Sequence, residues 1–222
     1  MWCKAVVAGL VLTVGLTACS RNDLATAAPD VGRGADTPQK AVEELVGLIN
    51  TADFAVASPL VVPGQPALAS LVEGATFAQV AHAIEEGDAA VASNFWAGFA
   101  QGAGNFLTGS LTTDAGPVIT EAELEFHTVD VTLEDGSRRQ LLARDVNGYR
   151  IDLFASFGGG LADKMIPPVE RLISSQTDDA SIVLPALKTI VPSLLVAANQ
   201  PEATPQSVQD LLRLIELITR VS

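Results

Sequence analysis

Few side chains in this 222-residue chain can do chemistry, and their spacing limits what that chemistry is. There are two histidines, His82 and His127, one tyrosine, Tyr149, and two cysteines, Cys3 and Cys19. His127, close to Glu125 and Asp130 in sequence, has the parts of a proton-transfer pair. His82 stands among Ala81, Ala83 and Ile84 on a helical pattern and suits packing better. Two histidines without paired spacing, and without a cysteine beside them, make no zinc motif. Gly102-Ala103-Gly104-Asn105 and Gly158-Gly159-Gly160 lack the Lys-Ser/Thr ending of a phosphate loop. No serine lies in a Gly-x-Ser-x-Gly elbow. These residues assign no catalytic group, no cofactor and no metal.

The thiol of Cys19 is the strongest chemical signal. A basic start at Lys4 leads into an apolar run from Ala5 to Gly15, then Leu16-Thr17-Ala18-Cys19. The run is shorter than the roughly 20 apolar residues of a membrane-spanning helix. It has the order of a secretory signal. The tetrapeptide resembles the bacterial lipobox, whose small residues lie extended in a peptidase cleft and whose cysteine accepts diacylglycerol. The expectation is a signal peptide over 1–18, lipid with its acyl chains (palmitate among them) on Cys19, and attachment to the outer face of the bacterial cell membrane or envelope. Residues 19–36, small and polar with Gly and Pro, read as a flexible stalk.

Without Lys4, 12 basic residues face 26 acidic ones, a formal charge of −14 over the remaining 204 residues. Such a surface disfavours nucleic acid and bare anionic lipid as partners. The 48% hydrophobic content supports a packed core. Cys3 falls in the leader, so no disulfide framework follows.

The elements that position these groups begin at Thr37-Pro38, an N-cap followed by proline at the first helical position. Ala41, Val42, Leu45, Leu48 and Ile49 share one stripe of that helix. A short helix near Asp53–Ala57 precedes a Pro-rich loop over 59–66. Thr76 with Gln79 forms a capping box for a helix ending at Gly87. Asp88 caps another, on which Val91, Phe95 and Phe99 share a face, and the glycines from 98 to 109 loosen its end. Asp135-Gly136 and Asn147-Gly148 mark hairpin turns. Read as two-residue loops, they put Val129, Leu142 and Leu153 in one row across three strands, with Asp145 opposite Arg150. A bulge near His127-Thr128 would bring Leu124 and Phe126 into phase with Val129, Val131 and Leu133. The last strand runs to Phe157, Gly158-Gly159-Gly160 is a hinge, and helices follow over about 161–176, 181–199 and 205–220.

The capped helix Thr37–Asn50 running into Thr51-Ala52-Asp53-Phe54, with the meander Val129 to Asp152, resembles the nuclear-transport-factor-two-like, or ketosteroid-isomerase-like, cone fold, and within it the small envelope lipoproteins. The likeness covers residues 37–157. It implies an α+β fold with helices packed on a curved antiparallel sheet, cone-like, to which 158–222 adds a C-terminal helical extension. It also implies an apolar pocket in the cone. Proton-transfer enzymes of that fold use a carboxylate base with a tyrosine and a protonated acid as oxyanion donors. Those catalytic residues match no positions here.

Phe95, Trp96, Phe99 and Phe106 are an aromatic cluster with two readings, core packing or the wall of a pocket. The pocket reading joins Phe95, Phe99 and Phe106 to Val129, Leu142 and Leu153. The chain is thus expected to be a membrane-anchored binding module, for an apolar small molecule or lipid or for an envelope protein. The alternatives are an interaction module docking through its C-terminal helices, and an enzyme using His127 with a carboxylate.

Overall fold

The computed structural model describes residues 33–52, 57–73, 89–102, 109–175 and 178–220. Cys19, the leader and most of the expected stalk lie outside these residues, as do Asp53–Val56, the Thr76–Gly87 helix with His82, and Phe106. The fold is α+β: four antiparallel strands in the order β1-β2-β3-β4, with helices before and after them.

The first helix, α1 (Pro38–Thr51), forms where the cap predicts, with Thr37 Oγ1 accepting the Lys40 amide at 3.1 Å. The expected Pro-rich loop contains a 3-10 turn, Ser58–Leu60, and the start of a short helix, α2 (Gln65–Ala69). Proline in a first turn starts helices as readily as it ends them. Helix α3 (Ala89–Gly102) runs unbroken past Gly98.

Strand β1 (Leu111–Glu121) has no counterpart in the sequence reading. Its turn into β2 (Leu124–Leu133) is Ala122-Glu123, both at positive φ, 49° and 65°, without glycine or asparagine. The irregularity expected on β2 sits on β1, where Gly116 and Pro117 face Thr128. Between β2 and β3 (Arg138–Asp145) the pairing is regular, so the phase of β2 is not corrected at all. Instead β2 is buried on both faces. Val129 and Val131 join α1 in the main cluster, while Phe126 packs with Leu142, Ala155 and Val196 on the other side.

Both hairpins carry three residues, not two. Leu133 pairs with Ser137 around Glu134-Asp135-Gly136, and Asp145 with Tyr149, the first residue of β4 (Tyr149–Ile151), around Val146-Asn147-Gly148. Gly136 alone has positive φ in the first, as a three-residue loop closing on a left-handed residue requires. Each turn slips the register by one and flips the side chains. Val129 lies opposite Leu141, Leu142 moves to the far face, and Arg150 faces Arg144 instead of Asp145.

Leu153–Phe157 is helix, not strand. Helix α4 (Leu153–Ser175) runs through the expected Gly158–Gly160 hinge and through Pro167-Pro168. Helices α5 (Asp178–Thr189) and α6 (Val191–Ala198) part at Ile190, and α7 (Pro205–Arg220) closes the chain as predicted. One hydrophobic cluster joins Ala35 to Ile218, so residues on both sides of 157/158 share a core.

The body begins before Thr37. Gly34 donates to Asn147 O at 2.9 Å, and Ala35 exchanges two hydrogen bonds with Tyr149, so the expected stalk is docked over its last residues. A Cβ on Gly34 would sit 2.7 Å from Gly148 C, and one on Gly148 2.7 Å from Gly34 C.

Two non-glycine residues held left-handed cost about 1–2 kcal/mol each. Replacing Ala122-Glu123 with Asn-Gly is therefore expected to stabilise the protein by about 1–2 kcal/mol, read as a higher urea midpoint. No gain would mean that this turn is not left-handed at both positions.

Candidate functional site

The aromatics nominated by sequence are packed ring on ring. Phe95 and Trp96 meet edge to face at 5.0 Å, Trp96 and Phe99 at 5.4 Å, and Phe99 meets Phe157 of α4 at 5.0 Å. Trp96 Nε1 donates to Ser58 Oγ at 3.1 Å. Phe95, Phe99, Val129 and Leu153 are brought together in the main core. Leu142 is on the other side of the sheet, so the expected six-residue wall is not assembled.

His127 lies on the α1 side of the sheet, paired with Ala143. Its Nε2 is 4.0 Å from Glu125 Oε2, and its ring meets Tyr149 edge to face at 5.1 Å. No group of three or more metal-binding side chains occurs among the described residues.

A buried polar cluster that sequence reading missed lies where β4 gives way to α4. Asp152 is fully buried. Its Oδ1 accepts the Ala155 amide at 2.9 Å, capping α4, and Oδ2 accepts from Ser193 Oγ at 2.8 Å and Arg144 Nη1 at 3.5 Å. The Arg144 guanidinium also stands 5.6 Å over the Phe126 ring. Gln65 Oε1 accepts the Leu153 amide at 2.6 Å. Arg150, 1% exposed, donates to the carbonyls of Val146 and Pro59 at 3.0 and 2.5 Å, and burial lowers its pKa. Ser193 donates to this carboxylate, and among the described residues the cluster ties β3, the start of α4 and α6 together.

Among the described residues a hollow of about 430 Å³ lies beside α1 at Glu44, Gly47, Leu48, Thr51 and Leu60, and a cleft of about 330 Å³ with more polar groups lies between β3 and α4. Its apex is Ser156, whose Oγ accepts the Leu142 amide at 2.9 Å. One arm is Arg139-Gln140 of β3, the other Gly159-Gly160 of α4, and Ala155, Phe157 and Ala197 supply apolar lining. Gln200, Glu202, Thr204 and Ser207, from the α6–α7 connection and α7, complete the wall. Glu202 bridges the mouth: Oε1 accepts the Gln140 amide at 3.0 Å and Oε2 stands 3.7 Å from Arg139 Nη1. Beyond Glu202 a second hollow of about 350 Å³ continues past Arg138 to Asp130 and Asp114. The cleft lies beside Arg139 and Gln140, towards the Arg138 end of β3, whereas Gly34 and Ala35 dock at the Asp145 end. Five residues of strand separate Gln140 from Asp145, about 17 Å.

Asp152→Ala would strand Ser193 and Arg144 and uncap α4. We expect a loss of about 3–5 kcal/mol in chemical denaturation, against about 1 kcal/mol for Ser193→Ala. Equal, small effects would remove Asp152 from the centre of this cluster. Compared with models of protein families, with curated proteins and with solved structures, the chain matches none.

Proposed function

We propose that this chain is a lipid-anchored bacterial envelope protein whose domain is a binding module, presenting its β3–α4 cleft away from the membrane to an envelope partner. The observation that carries the reading is Leu16-Thr17-Ala18-Cys19 at the end of an apolar run of signal length. Two points of geometry support it. The described body begins at Gly34, pinned to the β3–β4 hairpin, and 15 residues from Cys19 reach at most about 50 Å. The residues that line the cleft lie at the other end of β3 from that contact. Among the described residues no single helix is long and apolar enough to cross a membrane. Helices α5 and α6 pass that test together, bent by 46°, yet Val183, Leu187, Leu194 and Val196 are buried in the protein.

The ring packing of Phe95, Trp96 and Phe99 favours a partner-binding module over a carrier with an aromatic-walled pocket.

Stable attachment takes about two acyl chains, one being marginal. Cys19→Ala is expected to abolish lipid modification and to shift the protein out of the membrane fraction, as read by metabolic labelling with palmitate and by fractionation. An unchanged membrane fraction together with unchanged labelling would overturn the assignment.

A further inference from the structure

We infer that the cleft is a peptide-binding groove, in which an extended, basic segment of a partner protein lies between the free half of the β3 edge and the glycine-bearing face of α4. This rests on the binding-module reading but not on the anchor.

The strand edge is the first argument. β4 pairs with β3 over Ala143–Asp145, and the Asp152 amide adds one hydrogen bond to Leu142 O at 2.8 Å, so the uncovered edge runs from Gln140 towards Arg138. Along the remaining half, the outward amides of Leu142 and Gln140 are held by side-chain oxygens of Ser156 and Glu202, which stand where a neighbouring strand's carbonyls would stand. A bare strand edge templates pairing with another chain, and extended peptides are recognised by adding to such an edge. Glu202 sits on an exposed connection outside any helix, so a peptide carbonyl can replace it without unfolding anything.

The opposite wall is the second argument. Glycine inside a helix costs about 1 kcal/mol relative to alanine. Gly158 has a packing reason: a Cβ there would lie 3.2 Å from Ala197 Cβ. Gly160 has none, since a Cβ there would meet no atom within 4 Å, and its φ is not positive. Gly159 and Gly160 are exposed and line the cleft; a Cβ on Gly159 would lie 3.5 Å from Ser207 Cβ of α7, so the open notch is at Gly160. Bare helix backbone facing a strand edge admits the close approach of a third backbone.

Polarity and charge select the occupant. Gln200 lines the cleft, and its Oε1 is buried with no hydrogen bond among the described residues. Such an acceptor is costly until a donor reaches it. A peptide amide is that donor, and an acyl chain has none. The continuing hollow sets Asp114, Asp130 and Glu202 against Arg138 and Arg139, in a chain of net charge −13, which favours lysine or arginine on the peptide.

The test is to pan a random dodecapeptide phage library against the full chain purified from whole-cell extract in mild detergent, then to measure the affinities of the selected peptides. Gly160→Leu fills the notch and replaces a helix glycine, so it should fold at least as well as the parent by thermal melting. It is expected to weaken the selected peptides at least tenfold. Gly47→Leu on α1, where a Cβ also meets nothing within 4 Å, should leave them unchanged. Selected sequences should be basic, and 1 M salt should weaken them. Recovery of no binder, or of binders indifferent to Gly160→Leu, would overturn the inference. So would displacement of the peptides by short-chain zwitterionic phosphatidylcholine, which has no net charge with which to sequester a basic peptide; the cleft would then be a lipid site. Because the purified chain is used, none of these results depends on whether Cys19→Ala alters membrane attachment.

Discussion

The carboxylate of Asp152, out of contact with water, holds together the point at which strand turns into helix. Its two oxygens are shared among the first turn of α4, Ser193 on α6 and Arg144 on β3. An isolated buried charge is prohibitive, and this one is tolerated because three donors, one of them a guanidinium, are aimed at its two oxygens. The arrangement makes β4 short. Once Asp152 caps a helix, Leu153 and Phe154 go into the core as helix residues and cannot extend the ladder. A short β4 in turn leaves half of the β3 edge to be covered by side chains, and the cleft is the space beside that half.

The sheet was legible in its turns and illegible in its register. Asn147 and Gly148 do take positive φ, as their chemistry demands, and Thr37-Pro38 starts α1 on its own cap. Loop length is a different matter, because an Asp-Gly pair serves a two-residue or a three-residue loop equally well. One residue of slip moved Leu142 to the opposite face and removed it from the expected pocket. The phase break between Phe126 and Val129 was visible in the sequence. It marks a strand buried on both faces, since α1 covers one side and α4 with α6 the other. Alternation assumes that one face is wet, and here neither face of central β2 is. Strand β1 was missed for a related reason. Its burial pattern has no clean alternation, and Ala122-Glu123 carries no turn signal.

The candidate site was unreadable because it is made of what is missing. Sequence reasoning looks for side chains with chemistry, and it found aromatics that turned out to hold α3 and α4 together. The cleft instead depends on two absent side chains, at Gly159 and Gly160, and on two side chains that impersonate backbone, Ser156 and Glu202. By composition the glycine run reads as a hinge. A signal for the other reading did exist. Three glycines between Phe157 and Leu161, followed by a helical stripe of Ala162, Met165, Ile166 and Val169, fit a helix whose small face is used for close approach.

The two ends of β3 are held by different means, and this gives the molecule a direction. At the Asp145 end Gly34 and Gly148 approach so closely that neither can carry a Cβ, and Ala35 is bonded to Tyr149 on both sides of its peptide. That contact consists of backbone hydrogen bonds and tight packing, so an exchange of partners there would mean rebuilding the hairpin. At the Arg138 end the Gln140 amide is satisfied by the Glu202 carboxylate on an exposed connection, 3.7 Å from an arginine that is itself half in water. Exposed ion pairs of this kind contribute little, about 0–1 kcal/mol. The strand is therefore fastened where the chain arrives from its N-terminal segment and lightly covered where the cleft opens.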